Sequence, residues 1–139
     1  MRTVGLDVGD RRIGVAVSDA TGLIASAVGN IVRSDDDYEG DLKKTAAEIE
    51  RLNGEQVVIG LPKNMNGTIG PRAQAIQQFA EDLKKYTSLP IAFWDERLTT
   101  VAAEKMMIQA GVRRDKRKKN VDRIAATFIL QDFLDFSRR

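Results

Sequence analysis

The sequence predicts an α/β protein with a mixed five-stranded sheet, in the order βββαβαβαα, flanked by helices. Three observations carry that expectation. Three β-rich runs follow one another near the N-terminus with only short turn segments between them, as an antiparallel meander requires. Two further apolar runs, Gln56–Leu61 and Pro90–Trp94, each lie between segments of helical periodicity. Strand–helix–strand units close through right-handed crossovers, so the first, fourth and fifth strands are expected to run parallel. At 139 residues the chain fits one domain, 1–139.

Taken in order, Thr3–Val8 and Arg12–Ser18 read as a hairpin about the Gly9-Asp10 turn region. After Thr21-Gly22, Leu23–Val32 reads as the third strand. The acidic stretch Ser34–Asp41 leads into a helix in which Leu42, Ala46, Ile49 and Leu52 recur at helical spacing, and Asn53-Gly54 stops it. Pro71 opens the next helix at its first position, where the missing N–H costs nothing, and Ala75, Ile76, Phe79 and Leu83 form its apolar stripe. Thr99 or Thr100 can cap a helix that stops at Gly111. A basic loop follows, and Asn120 is placed to cap a last helix with Val121, Ile124, Ala125, Phe128 and Ile129 facing inward.

Composition narrows the chemistry. There is no Cys and no His, which removes disulfides, cysteine nucleophiles, histidine bases and the usual zinc sites. Carboxylates, hydroxyls, Lys, Arg or a hard cation must do any work, and oxygen-only ligation suits Mg²⁺ or Mn²⁺. No apolar run is long enough to span a membrane, and the start lacks a signal peptide's apolar core, so a cytoplasmic protein is expected. Net charge is only +2, but it is segregated. Residues 34–56 carry eight acids and three bases, whereas 113–123 carry seven bases and two acids. That asymmetry predicts an edge facing a polyanion; a solvated basic loop is the plainer alternative.

Sites in open α/β sheets lie beyond the carboxyl ends of parallel strands. This rule puts Asp7, the Gly60–Gly67 loop and Asp95-Glu96 on one rim. Asp7 ends the first strand among apolar residues, where a carboxylate is costly unless paired or metal-bound. Glu96 follows the fifth strand and Asp122 lies in the first turn of the last helix. Each acid has an ordinary structural role open to it: a turn cap for Asp7, a surface pair with Arg97 for Glu96, a helix-dipole partner for Asp122. Together they suit a site where shared carboxylates hold two metal ions that activate water and stabilise a leaving oxygen. One geometric difficulty stands. With the fourth strand between the first and fifth, Asp7 and Glu96 start about 10 Å apart, two strand spacings, and Asp95 competes with Glu96 for the role.

Substrate contacts are expected from the surrounding loops. Lys63 and Asn64 lie in the Gly60–Gly67 segment, whose Gly and Asn content suits close backbone approach to a phosphate. Arg72 opens the following helix, Arg11 and Arg12 flank the first turn, and Arg97 follows Glu96. Arg113, Arg114, Lys116, Arg117, Lys118 and Lys119 would meet backbone phosphates and make binding salt-sensitive. One Trp and two Tyr give little support to extensive base stacking.

The run Asp7-Val8-Gly9-Asp10-Arg11-Arg12-Ile13-Gly14-Val15-Ala16-Val17-Ser18-Asp19 resembles the opening motif of the YqgF/RuvX-type family. Gly60-Leu61-Pro62, Asp95-Glu96-Arg97-Leu98-Thr99-Thr100, and Val121-Asp122 followed by Ala125-Ala126 resemble its other three blocks. The four blocks occur in order over nearly the whole chain. This resemblance implies an RNase H-like fold and a nuclease that matures the 5′ end of pre-16S ribosomal RNA, with an older assignment to Holliday junction resolution. It also places Asp7, Glu96 and Asp122 where the family has its acidic residues.

The expected partner is therefore nucleic acid, either pre-rRNA or branched DNA, with ribosomal particles as a further partner. A resolvase calls for a symmetric dimer, whereas RNA trimming needs only a monomer; Met106, Met107 and Ile108 are candidates for a dimer face. Two other classes compete. One is a non-catalytic RNA- or ribosome-binding module that keeps the acids for structure. The other is a relative of actin-like or sugar-kinase-like ATPases, whose first phosphate loop also reads Asp-x-Gly but which need two such domains to enclose ATP.

Overall fold

The computed structural model describes residues 1–96 and 114–137, with side chains over 1–96 and 124–137. Its strands are β1 (Thr3–Val8), β2 (Arg12–Ser18), β3 (Ala25–Val32), β4 (Gln56–Leu61) and β5 (Ile91–Asp95). Its helices are α1 (Tyr38–Arg51), α2 (Pro71–Leu83) and a long helix, α3 (Arg114–Ser137). The sheet order is β3-β2-β1-β4-β5. The first three strands form the expected antiparallel meander. β1 pairs parallel with β4, and β4 with β5.

Alternation along the strands separates two faces. Val4, Leu6 and Val8 of β1, Ile13 and Val15 of β2, and Val57, Ile59 and Leu61 of β4 join Leu42 and Ile49 of α1 and Ile76, Phe79 and Leu83 of α2 in one apolar cluster. Ala16 and Val58 on the other face pack with Ala126, Ile129, Leu130 and Leu134 of α3. Trp94 of β5 meets Phe133 edge-on at 6.2 Å. The Gln131 side chain ties α3 to the meander, accepting from Ala25 N at 2.9 Å and donating to Leu23 O at 3.0 Å.

Several boundaries differ from the sequence reading for local reasons. Leu23 and Ile24 belong to the turn before β3, because their amides donate to Asp19 Oδ1 at 2.8 and 3.0 Å. Asp37 caps α1 by accepting from Gly40 N at 2.9 Å. At the far end Asn53 itself takes the left-handed conformation, φ 56°, and Gly54 N reaches back to Ile49 O at 3.0 Å. Ala75, expected in the apolar stripe of α2, is exposed, while Ala73 and Ala80 are buried in its place.

The largest difference concerns the basic stretch. Residues 114–119 are not a loop but the opening turns of α3, so Asn120 lies inside the helix and not at its cap. Lys and Arg are good helix formers, and a run of them extends a helix wherever solvent can take the charge. The helix expected from Thr99 or Thr100 to Gly111, and the Met106–Ile108 stripe, lie outside the described residues. No helix among the described residues is long and apolar enough to cross a membrane.

Candidate active site

Asp7 is the next-to-last residue of β1 and is only 5% exposed. Its direct partner on β2 is Gly14. Leu6 pairs with Ile59 on β4, so the following step of the same parallel register brings Asp7 level with Gly60. The central carboxylate is thus flanked on both sides by glycines, in a row that continues to Trp94 on β5. Isolated glycines inside strands mark a close approach by something else. At Gly60 the approaching group is a second acid.

Glu96 directly follows β5 and is 6% exposed. Its amide donates to Leu61 O at 3.2 Å, which extends the β4–β5 pairing by one residue. Trp94 packs with the α3 cluster, whereas Asp95 is level with Leu61, a member of the α1/α2 cluster. Alternation then returns Glu96 to the face of Trp94 and Asp7. A Cβ added at Gly60 would overlap Glu96 Oε2 and would stand 3.1 Å from its Cδ. The Glu96 carboxylate therefore lies over β4, in the space a side chain at position 60 would fill. That resolves the gap of two strand spacings, and it puts Glu96, and not Asp95, on the Asp7 face.

The third acid is placed by the helix backbone. A Cβ at Gly5 would stand 2.8 Å from Leu130 Cβ and 3.2 Å from Ala126 O. Nearer the start of β1, Thr3 shares a cavity with Leu134 and Ser137. The helix therefore runs antiparallel to β1. Asp122 lies one turn before Ala126, about 6 Å along the axis; Asp7 lies two residues beyond Gly5, about 7 Å along the strand. The backbones bearing the two acids thus come alongside at the same rim. Asp7 and Glu96 are a pair among the described side chains, which hold no group of three or more metal-binding side chains; the Asp122 side chain lies outside them.

Two buried carboxylates on one face, in a chain without Cys or His, form a donor set suited to a hard divalent cation. A carboxylate this far from water is costly unless a counter-charge is supplied.

The expected substrate-binding residues are less uniformly disposed. Arg11 and Arg72 are exposed, at the β1–β2 turn and the second position of α2, and Lys63 is half-buried. Asn64 instead braces its own loop: Nδ2 donates to Thr68 Oγ1 at 2.9 Å and the backbone amide to Thr68 O at 2.9 Å. Asn66 accepts from Thr68 N and Oγ1, and Gly67 supplies the left-handed turn, φ 85°. Arg12 is half-buried and already engaged within the chain. Arg97 and Arg113 lie outside the described residues, as do the side chains of Arg114, Lys116, Arg117, Lys118 and Lys119.

Sequence reasoning missed Arg33 and Asp41. Asp41 is 1% exposed; it accepts from Arg33 Nε at 3.1 Å and from Ser34 N at 3.0 Å. Arg33 Nη1 donates to Gly9 O at 2.8 Å, and the guanidinium lies 5.3 Å from the Phe79 ring centre. This pair pins the turn that follows Asp7. A cavity of about 370 Å³ opens beside it at the same rim, lined by Val8, Asp10, Arg33, Tyr38, Arg72 and Phe79 among others.

The RuvX family model, described as Holliday junction resolvase, matches residues 1–136. The chain belongs to the RuvX family. Among its relatives, a protein of Geobacillus kaustophilus named "Putative pre-16S rRNA nuclease" is 49% identical over 138 residues, covering 99% of this chain and all of the relative. Among solved structures, the Fowlpox virus resolvase with Holliday junction DNA matches with a TM-score of 0.61 and 15% identity, covering all of both chains. Thermus thermophilus RuvC with Holliday junction substrate matches with a TM-score of 0.58 and 15% identity, covering 99% of this chain and 96% of that one. At such identities the two resolvases speak for the fold alone. The RNase H-like architecture expected of a RuvX family member is the one observed.

Proposed function

We propose that this RuvX family protein is a metal-dependent endonuclease that processes the 5′ end of pre-16S rRNA. Its relatives carry nuclease names, and the reaction class is hydrolysis of phosphodiester bonds. The observation that carries the catalytic reading is the burial of Asp7 and Glu96 on one face of the sheet at its carboxyl rim, with the Glu96 carboxylate drawn across β4 toward Asp7.

Asp7, Glu96 and Asp122 would hold Mg²⁺ or Mn²⁺, which supplies an activated water and charge stabilisation for the leaving oxygen. The chain's own residues do the rest. β1 and the end of β5 present two carboxylates from rigid strands, and their burial strengthens every charge interaction at the site. Arg11, Arg72 and the basic residues of the first turns of α3 would draw in the phosphate backbone. The enzyme would work in the cytoplasm, on ribosomal particles, as one nuclease domain spanning 1–139. Likeness to two resolvase folds keeps four-way DNA as the second substrate to be compared.

The test is cleavage of pre-16S rRNA and of a four-way DNA junction by wild type and Asp7→Asn, with Mg²⁺ or Mn²⁺. Wild type should cleave the RNA at its 5′ side, and the variant should lose more than about 100-fold, the upper range for residues that merely support a metal ligand. Undiminished cleavage by Asp7→Asn would refute the site, and preference for the junction would refute the substrate.

A further inference from the structure

We propose that Gly60 is a positioning residue: its missing side chain is the seat of the Glu96 carboxylate, and only through that seat does Glu96 reach the level of Asp7. The inference rests on the metal reading above, and it concerns a residue that acts through the placing of another.

Three observations support it. First, the backbone does not ask for glycine at this position. Among the described residues, the glycines with positive φ are Gly22, Gly29 and Gly67; Gly60 is a regular residue of a central parallel strand. A glycine there is a cost in strand stability unless space demands it. Second, the space is demanded twice over. An added Cβ would overlap Glu96 Oε2 and come within 2.5 Å of Ile129 Cδ1. Third, the register is suited to the task. Gly60 stands between Asp7 on β1 and Trp94 on β5, so a carboxylate over Gly60 is about one strand spacing, ~4.8 Å, from the Asp7 strand. That brings the two acids within the span of metal ions held about 4 Å apart. Gly5, one pair earlier on the same face, has a different duty. What would crowd a Cβ there is the Leu130 side chain and the Ala126 carbonyl, so Gly5 admits the helix and not an acid.

The two demands on Gly60 can be separated. Ile129→Val removes Cδ1 and with it the helix contact, leaving the carboxylate as the obstacle to a methyl group. Thermal midpoints would be measured for Gly60→Ala in the Ile129→Val background, with Glu96 intact and with Glu96→Ala. Mn²⁺ binding would be followed by calorimetry for wild type, Ile129→Val and Gly60→Ala/Ile129→Val. We expect the loss of midpoint caused by Gly60→Ala to fall by at least about half when Glu96 is truncated, since contacting residues are energetically coupled. We also expect Mn²⁺ affinity to drop about 10-fold or more in Gly60→Ala/Ile129→Val, the range for disturbed support of a metal ligand, while Ile129→Val alone binds as wild type. Equal midpoint losses with and without Glu96 would overturn the proposal, because Gly60 would then serve helix packing alone. Coupled midpoints with unchanged Mn²⁺ affinity would overturn it as well. A wild-type protein that binds no Mn²⁺ would refute the metal reading, and the midpoint comparison would still decide where the carboxylate sits.

Discussion

On the face that meets α1 and α2, β1 presents Val4, Leu6 and Val8; on the face that meets α3, the same strand presents Thr3, Gly5 and Asp7. The neighbours repeat the division. β2 gives Ile13 and Val15 to the first face but Gly14, Ala16 and Ser18 to the second, and β4 gives Val57, Ile59 and Leu61 to the first but Val58 and Gly60 to the second. Each large side chain fully buried on the first face contributes roughly 1.5–3 kcal/mol. The second face is thin, so α3 comes close and two carboxylates can lie in the space the small residues leave. Both faces also bury acid, with opposite chemistry. Asp41 on the helical side is met by Arg33 and the Ser34 amide, a fixed structural pair. Asp7 and Glu96 are buried on the other face, at the rim, and are the carboxylates proposed above to hold a divalent cation.

The sharpest way to break this contrast is to neutralise one acid from each face. Asp7→Asn should lose more than about 100-fold in cleavage, the effect on activity far outweighing that on the urea midpoint. A fall in stability as large as the fall in activity would place Asp7 with the structural acids. Asp41→Asn should do the reverse. Breaking a buried pair by removing one partner costs about 3 kcal/mol at the lower end of the usual range, suited to an Arg33 that keeps some solvent contact. Urea denaturation should show the loss, while cleavage per folded molecule stays near wild type.

A smaller effect is expected from the basic turns of α3. Lys116→Gln with Lys118→Gln should weaken RNA binding and lower the slope of log affinity against log salt by about one for each phosphate no longer neutralised. An unchanged slope would mean that this segment faces solvent only. The smallest effect concerns the meander turn. The Ile24 amide, the Thr21 hydroxyl and the Leu23 amide hold the Asp19 carboxylate well below the usual range. Its folded pKa is lowered, so its contribution is fully present above the ordinary value of about 4 and is lost as pH falls through the folded pKa. Asp19→Ala should flatten the acid limb of the stability–pH profile slightly and leave cleavage unchanged. An acid limb that keeps its slope would assign that pH dependence to other groups.

Much of this design is legible beforehand because it is written in local patterns. β4 can be read to the residue, since an apolar run between helix signals has few other interpretations. The parallel pairing of β1, β4 and β5 follows from crossover handedness. The basic stretch misleads because charge density says where solvent is and not whether a backbone is helical; residues 114–119 continue a helix that their propensity favours. Ala75 misleads because alanine alone marks no face of a helix. Asp41 escapes notice inside an acidic run, since nothing local separates the one acid that Arg33 meets from those left in water.

Alone, the sequence narrowed the chemistry: a chain without Cys or His is left with carboxylates, hydroxyls, Lys, Arg or a hard cation, and its segregated charge points to a polyanion. It also determined the family, through motifs that extend along nearly the whole chain. The choice of Glu96 over Asp95, and the closing of the distance to Asp7, belonged to the tertiary structure. Both depend on which face a residue takes after β5 and on an empty place in β4 about 35 residues earlier in the chain. Alternation is readable within one strand, but the space over Gly60 exists only when β1, β4, β5 and α3 are packed together.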